Sequence, residues 1–107
     1  MHELGPDDDG TTVFVPAGSA IDIVLPANAT TGYLWGAVEV PDVLDGVTDE
    51  LVPAGSGRPG AGGEHRFRFV GAGSGSGDLT LVLRRPWERD TEAIDRFTVR
   101  VTVWPED

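Results

Sequence analysis

Apolar and polar residues alternate along most of this chain, in short runs divided by glycine- and proline-rich segments. A period of two is typical of β-strands with one buried face. No apolar stripe with a helical period lasts for three turns. The pattern therefore predicts about seven short strands, at residues 11–15, 19–25, 33–40, 46–52, 64–70, 78–84 and 95–103.

Seven short strands separated by turn signals predict an all-β fold, an immunoglobulin-like β-sandwich. One-sided alternation favours antiparallel sheets, and Trp35 on a predicted inward face suits the core tryptophan of such a sandwich. The chain has no cysteine, so it has no disulfide and packing alone must hold the sheets together. We expect one domain over residues 11–107, preceded by a flexible segment at 1–10.

Two segments are rich in glycine: "PAGSGRPGAGG" at 53–63 and "GAGSGSG" at 71–77. Ordering glycine costs more backbone entropy than ordering any other residue. We therefore expect both segments to be loops outside regular structure, and 71–77 to be a flexible surface connector.

The charge balance is acidic, with 8 Lys and Arg against 18 Asp and Glu and a net charge of −10. This argues against nucleic acid as a partner, because such binders need a basic surface. No apolar run is long enough to span a membrane. The first ten residues lack the basic and apolar regions of a signal peptide, and the compartment stays open. We expect a monomer.

Catalytic chemistry finds little support in the residue types. A nucleophile needs a base near it, yet His2 lies in a predicted frayed tail and His65 opens a strand beside two phenylalanines. His65 is better interpreted as a structural histidine. "DDDG" at 7–10 offers oxygen ligands but lacks the spacing of a calcium loop. The sequence therefore predicts no enzyme, no metal site and no cofactor.

Three loop motifs carry the functional signal: "NATTGYLW" at 28–35, "GAGG" at 60–63 and "RRPWE" at 84–88. In this order they resemble the three motifs of the chagasin-like inhibitors of papain-type cysteine proteases. The resemblance extends from about residue 11 to 104. Asn28 also begins a possible glycosylation acceptor, but Asn28 more simply caps the turn through its side chain.

The resemblance implies reversible, non-covalent inhibition by three loops, at 28–33, 58–64 and 84–89, that enter the active-site cleft of a papain-like cysteine protease. The first loop would enter at the centre, and the other two would clamp the sides of the cleft. The implied protease-binding residues are Thr30, Thr31, Gly32, Gly60, Ala61, Gly62, Gly63, Arg85, Pro86 and Trp87.

The residue types suit this role. Gly32 permits a positive φ at the apex of the first loop, and Pro86 fixes the backbone beside Trp87. Trp87 either packs on its own sandwich or, as we favour, lies exposed as an anchor for the partner. Arg85 could pair with acidic groups of a protease or brace its own loop.

The other aromatic residues have predicted structural roles. Tyr33 and Trp35 are expected to anchor the first loop to the core, and Trp104 to pack at the edge of a sheet.

One residue departs from the family pattern, since Ala29 stands where the family has proline. Without that proline the loop entry is looser, which costs about 0.4–1 kcal/mol of ordering on binding. The alternative function is an immunoglobulin-like interaction or adhesion module that uses the same loops for another protein partner.

Overall fold

The computed structural model describes residues 2–27, 32–52, 63–89 and 92–105. Within these ranges each of the seven predicted runs overlaps a strand, and an eighth strand precedes them. No helix of the described part is long and apolar enough to cross a membrane. The strands are β1 (His2–Leu4), β2 (Thr12–Pro16), β3 (Ala20–Ala27), β4 (Leu34–Glu39), β5 (Leu44–Val52), β6 (Gly63–Gly71), β7 (Gly75–Arg84) and β8 (Asp95–Trp104).

The strands form two four-stranded sheets, in the orders β1-β3-β6-β5 and β2-β8-β7-β4. This arrangement confirms the predicted sandwich. Most neighbouring strands are antiparallel, as expected, but β1 pairs with β3 and β2 pairs with β8 in parallel. The N-terminal part of the chain therefore supplies one edge strand to each sheet.

The core lies between the sheets and is built from the alternating positions that the sequence indicated. Alternate residues of β3 and β8 are buried: Ile21 and Ile23 of β3, like Val99 and Val101 of β8, are 0% exposed. Fully burying one such side chain contributes about 1.5–3 kcal/mol. Trp35 is also buried, as predicted, and its Nε1 donates a hydrogen bond to the Pro26 carbonyl at 3.0 Å.

The first ten residues carry regular structure where we expected a flexible segment. β1 pairs with β3, Leu4 is 7% exposed, and a short 3₁₀ helix follows at Pro6–Asp8. The adjacent carboxylates satisfy backbone donors: Asp8 accepts from the Gly5 N–H and Asp9 from the Thr98 N–H, both at 2.8 Å. Asp9 therefore links this segment to β8, while Asp8 closes a turn within the segment.

The prediction that residues 71–77 lie outside regular structure is wrong. Gly71 ends β6, and residues 75–77 begin β7 and pair with β8. The pairing supplies backbone hydrogen bonds that composition alone does not reveal. Gly77 is needed for packing, because a Cβ at this position would lie 2.4 Å from the Cβ of Pro41.

An ion pair ties β3 to β6 on the outer face of their sheet. The Arg68 guanidinium donates two hydrogen bonds to the Asp22 carboxylate, at 2.7 and 2.9 Å. These hydrogen bonds hold the pKa of the Asp22 carboxyl below its ordinary value. The paired geometry is the strongest form of an arginine–carboxylate contact.

We expect Gly77→Ala to lower the free energy of unfolding by about 1–3 kcal/mol, because the new methyl group collides with the rigid ring of Pro41. Gly36→Ala in β4 is the matched control, since a Cβ there meets nothing within 4 Å. Urea unfolding of both variants measures the difference. Equal stability of the two variants would contradict the packing role of Gly77.

We expect Asp22→Asn to be less stable than the parent at neutral pH and to approach it in acid. Because the pKa of Asp22 is lowered by folding, its contribution is present above about pH 4 and is lost as the pH falls through the folded-state pKa. Urea unfolding between neutral pH and about pH 2 follows this change.

Asp78→Asn controls for the loss of one negative charge, since Asp78 makes a single 3.3 Å contact with Arg100 between half-exposed side chains. A gap between Asp22→Asn and the parent that stays constant across this pH range would overturn the assignment.

Candidate functional site

The topology brings the flanks of all three motifs to one end of the sandwich. In one sheet the end of β3 lies beside the start of β6, where Ala27 pairs with Gly63. In the other sheet the start of β4 lies beside the end of β7, where Leu34 pairs with Arg84. Residues 28–33 join the two sheets here. We call this end, marked by Gly32, Gly63 and residues 84–89, the motif end.

The structure describes half of the predicted site residues. Gly32, Gly63, Arg85, Pro86 and Trp87 are described and belong to the motif end. The others lie outside the described residues, as do Asn28 and Ala29: they are Thr30, Thr31, Gly60, Ala61 and Gly62.

Gly32 has the backbone conformation that the sequence predicted for it. Its φ is +80°, in the region that glycine adopts readily and that costs other residues strain. Among the described residues, a Cβ at Gly32 would meet nothing within 4 Å. The glycine is therefore required by the turn itself and not by a crowded neighbour.

Arg85 connects the first motif to the third. Its guanidinium carbon lies 4.7 Å from the centre of the Tyr33 ring and 6.0 Å from that of the Trp87 ring. A guanidinium over an aromatic face is attracted by the ring electrons, an effect of about 0.5–1 kcal/mol at exposed sites. Arg85 therefore joins the first and third motifs within this protein, and its pairing with acidic groups of a protease stays a prediction.

The third motif forms a closed turn over residues 85–88. The Glu88 N–H donates to the Arg85 carbonyl at 2.9 Å, and the Arg85 N–H donates to the Glu88 carboxylate at 2.8 Å. Trp87 stands out from this turn with 76% of its surface exposed. The prediction that Trp87 is exposed and not packed on the sandwich is confirmed.

Arg84 is a residue of this site that the sequence analysis did not single out. Its Nη1 donates to the carbonyl oxygens of Arg85, Pro86 and Glu88, at 3.3, 3.3 and 3.1 Å. No residue pattern indicates these Arg84 contacts, although Glu88, three residues after Arg85, is a signal for the turn itself. Such spacing resembles the side-chain-to-backbone pairing of a capping box.

His65 is a core residue, as predicted. It is 6% exposed, it contacts the Asp49 carboxylate through Nε2, and its ring stacks on Phe67 with 4.4 Å between centres. His65 belongs to β6 and Asp49 to β5, so this contact links the two strands and gives His65 a structural role.

Trp104 lies away from the motif end. It ends β8 beside Pro16 of β2, at the end of the sandwich opposite Asp95, and 46% of its surface is exposed. Because β8 lies between β2 and β7, Trp104 ends a central strand, and the prediction that it packs at the edge of a sheet is wrong.

Comparison with known proteins gives a consistent answer. Residues 15–101 match the model of the chagasin family peptidase inhibitor I42. Amoebiasin-1 of Entamoeba histolytica is 35% identical over 104 residues, which cover 94% of this chain and 97% of that protein. Chagasin of Trypanosoma cruzi is 32% identical over 103 residues, covering 92% and 94%.

A solved structure agrees with the relatives found by sequence. The crystal structure of the cysteine protease inhibitor EhICP2 from Entamoeba histolytica superposes with a TM-score of 0.84 and 26% identity, over 96% of this chain and 95% of that one. The family match and the two relatives extend over most of the chain, and the shared fold includes both sheets. This chain therefore belongs to the chagasin family of peptidase inhibitors.

Proposed function

We propose that this chain inhibits papain-like cysteine proteases reversibly and without covalent chemistry, by placing the three segments of the motif end in the active-site cleft. The observation that carries the proposal is the convergence of three motif flanks at one end of a sandwich. Family membership supports inhibition, and the geometry supports this end as the inhibitory surface. The chain then acts as an inhibitor and not as an enzyme.

The first segment serves as the central element of the inhibitor. Thr30 and Thr31 are proposed contacts, and Gly32 turns the chain immediately after them with its positive φ. A narrow apex of this kind fills a cleft while its backbone approaches the enzyme closely. The buried Trp35 fixes the point where the segment enters β4, because its indole N–H donates a hydrogen bond to the Pro26 carbonyl near the end of β3.

The second and third segments flank the first. Gly60, Ala61 and Gly62 are proposed to lie along the substrate groove and to offer backbone hydrogen bonds, as an added strand does. Gly63 is the first residue of β6 and therefore marks where the chain rejoins the sheet after this segment.

On the other side, Trp87 offers a large exposed aromatic surface, fixed by Pro86 and by the turn of residues 85–88. Tryptophan and arginine are the residue types that most often dominate the energy of an interface.

Titration of papain with the chain, followed by residual activity on a small substrate, tests the proposal directly. We expect loss of activity that is restored on dilution, and no loss for trypsin under the same conditions. Activity that persists at micromolar inhibitor across several papain-like enzymes would overturn the proposed function and favour an interaction module for another partner.

We expect Trp87→Ala to weaken the inhibition of papain roughly 30-fold, the equivalent of about 2 kcal/mol, because an exposed anchor is removed. Its 76% exposure predicts unchanged stability. Trp104→Ala, at the opposite end of the sandwich, is the matched control and should inhibit like the parent. Inhibition constants and thermal unfolding distinguish these outcomes. Equal inhibition by both variants would remove Trp87 from the site.

We expect Gly32→Ala to weaken inhibition by about tenfold, because a non-glycine residue pays about 1–2 kcal/mol at this φ and shifts the apex to relieve the strain. Gly18→Ala is the matched control: Gly18 has a φ of +89° and equally open surroundings, in the turn between β2 and β3. Both variants should lose similar stability, and only Gly32→Ala should lose inhibition. A parallel loss of inhibition in both would show that stability alone was responsible.

A further inference from the structure

Arg84 directs its charged group at the backbone of the loop that follows it. Arg84 ends β7, where it pairs with Leu34, and its side chain is partly buried. Its Nη1 lies within hydrogen-bond distance of three carbonyl oxygens, those of Arg85, Pro86 and Glu88, and because Nη1 has two N–H groups, at least one of them is shared between two acceptors. A hydrogen bond from a charged donor is stronger than a neutral one of the same geometry, and three such contacts act on one short loop.

These three carbonyls lie on both sides of Trp87 in the chain, so one cation holds the loop before and after the exposed ring. The Glu88 carboxylate adds a second closure by accepting the Arg85 N–H at 2.8 Å. Trp87 itself is 76% exposed, so burial contributes little to fixing its position. The position of the ring is therefore set by the loop backbone, which Arg84 holds, together with the Arg85 guanidinium 6.0 Å from the ring centre.

We propose that Arg84 is a positioning residue for inhibition: it orders the 85–88 turn in the free protein, so that Trp87 is presented before the protease arrives. Arg84 acts through the loop and does not contact the enzyme. The inference rests on the proposed function, since it gives Arg84 a role in the same inhibitory surface. An ordered loop loses less entropy on binding, which raises affinity without a new contact.

Arg84 and its neighbour Arg85 have different tasks in this scheme. Arg85 stacks on Tyr33 and connects two loops through aromatic contacts, whereas Arg84 holds the backbone of one loop. Loss of Arg84 should therefore loosen residues 85–88 while the first motif keeps its own anchor at Trp35. A merely structural arginine would alter the stability of the whole domain and leave the loop and the affinity unchanged in the folded protein.

The test compares Arg84→Met, Arg84→Lys and Arg100→Met in the full chain. Arg100→Met removes the same charge, but from an exposed ion pair in which Arg100 of β8 contacts Asp78 of β7. Arg84→Lys keeps the charge and the capacity to donate to several carbonyls. For each variant, the inhibition constant for papain and the rate at which the inhibitor dissociates from papain are measured. The order parameter of the Glu88 amide is measured by NMR in the free protein.

We expect Arg84→Met to raise the inhibition constant about tenfold, mainly through faster dissociation. The order parameter of the Glu88 amide should fall from about 0.85 towards 0.6 in the same variant. Arg84→Lys should stay within roughly threefold of the parent, given its retained donors, and Arg100→Met should match the parent in both measurements.

An unchanged order parameter in Arg84→Met would overturn the bracing role, whatever happens to inhibition. A loosened loop with unchanged inhibition would overturn the link to affinity. If Arg84→Met does not fold, Arg84→Lys decides: parent-like order and inhibition support the proposal, and a rigid loop with lost inhibition overturns it. Failure of the parent to inhibit papain would overturn the proposed function and the inhibitory role of Arg84 with it, whereas the NMR comparison, which needs no protease, would still test whether Arg84 orders the loop.

Discussion

The burial of one apolar face from each sheet is the interaction on which the rest of the structure depends. The chain has no cysteine, and the buried side chains of β3, β6, β7 and β8 form one continuous core between the sheets. Each sheet alone would expose that face. Because the core joins β3 and β6 to β7 and β8, it also fixes the two pairs of strand ends at the motif end. The points at which the loops leave and rejoin the strands are therefore positioned by the packing of the core.

The motif end adds a second layer of constraint that is polar and local. Trp35 reaches the Pro26 carbonyl, Arg85 stacks on Tyr33, and Arg84 with Glu88 closes the third loop. None of these contacts needs a large buried area, since charged hydrogen bonds and ring stacking are directional and short in range. The core sets where the loops start and end, and these contacts set how the described parts of the loops are oriented.

The sequence predicted the strands well, because burying one face imposes a period of two that is visible in residues such as Ile21, Ile23 and Phe67. It failed where structure depends on distant partners. β1 is only three residues long, too short to show a period, and residues 75–77 join β7 through β8 and Pro41. At the site, the motifs indicated Gly32 and Trp87, but the role of Arg84 depends on a side-chain direction that no residue pattern specifies.

The placement of charge around the third loop shows why an acidic chain can keep two adjacent arginines there. The body carries most of the negative charge, so a loop with Arg84 and Arg85 lies in a field that stabilises cations. Like charges on neighbouring residues repel each other. Here the two guanidinium groups have different partners: that of Arg84 faces three carbonyl dipoles, and that of Arg85 faces the Tyr33 ring. The Glu88 carboxylate lies in the same turn and offsets part of the remaining charge. The doubled arginine is therefore compatible with an ordered loop because each cation has its own electron-rich partner.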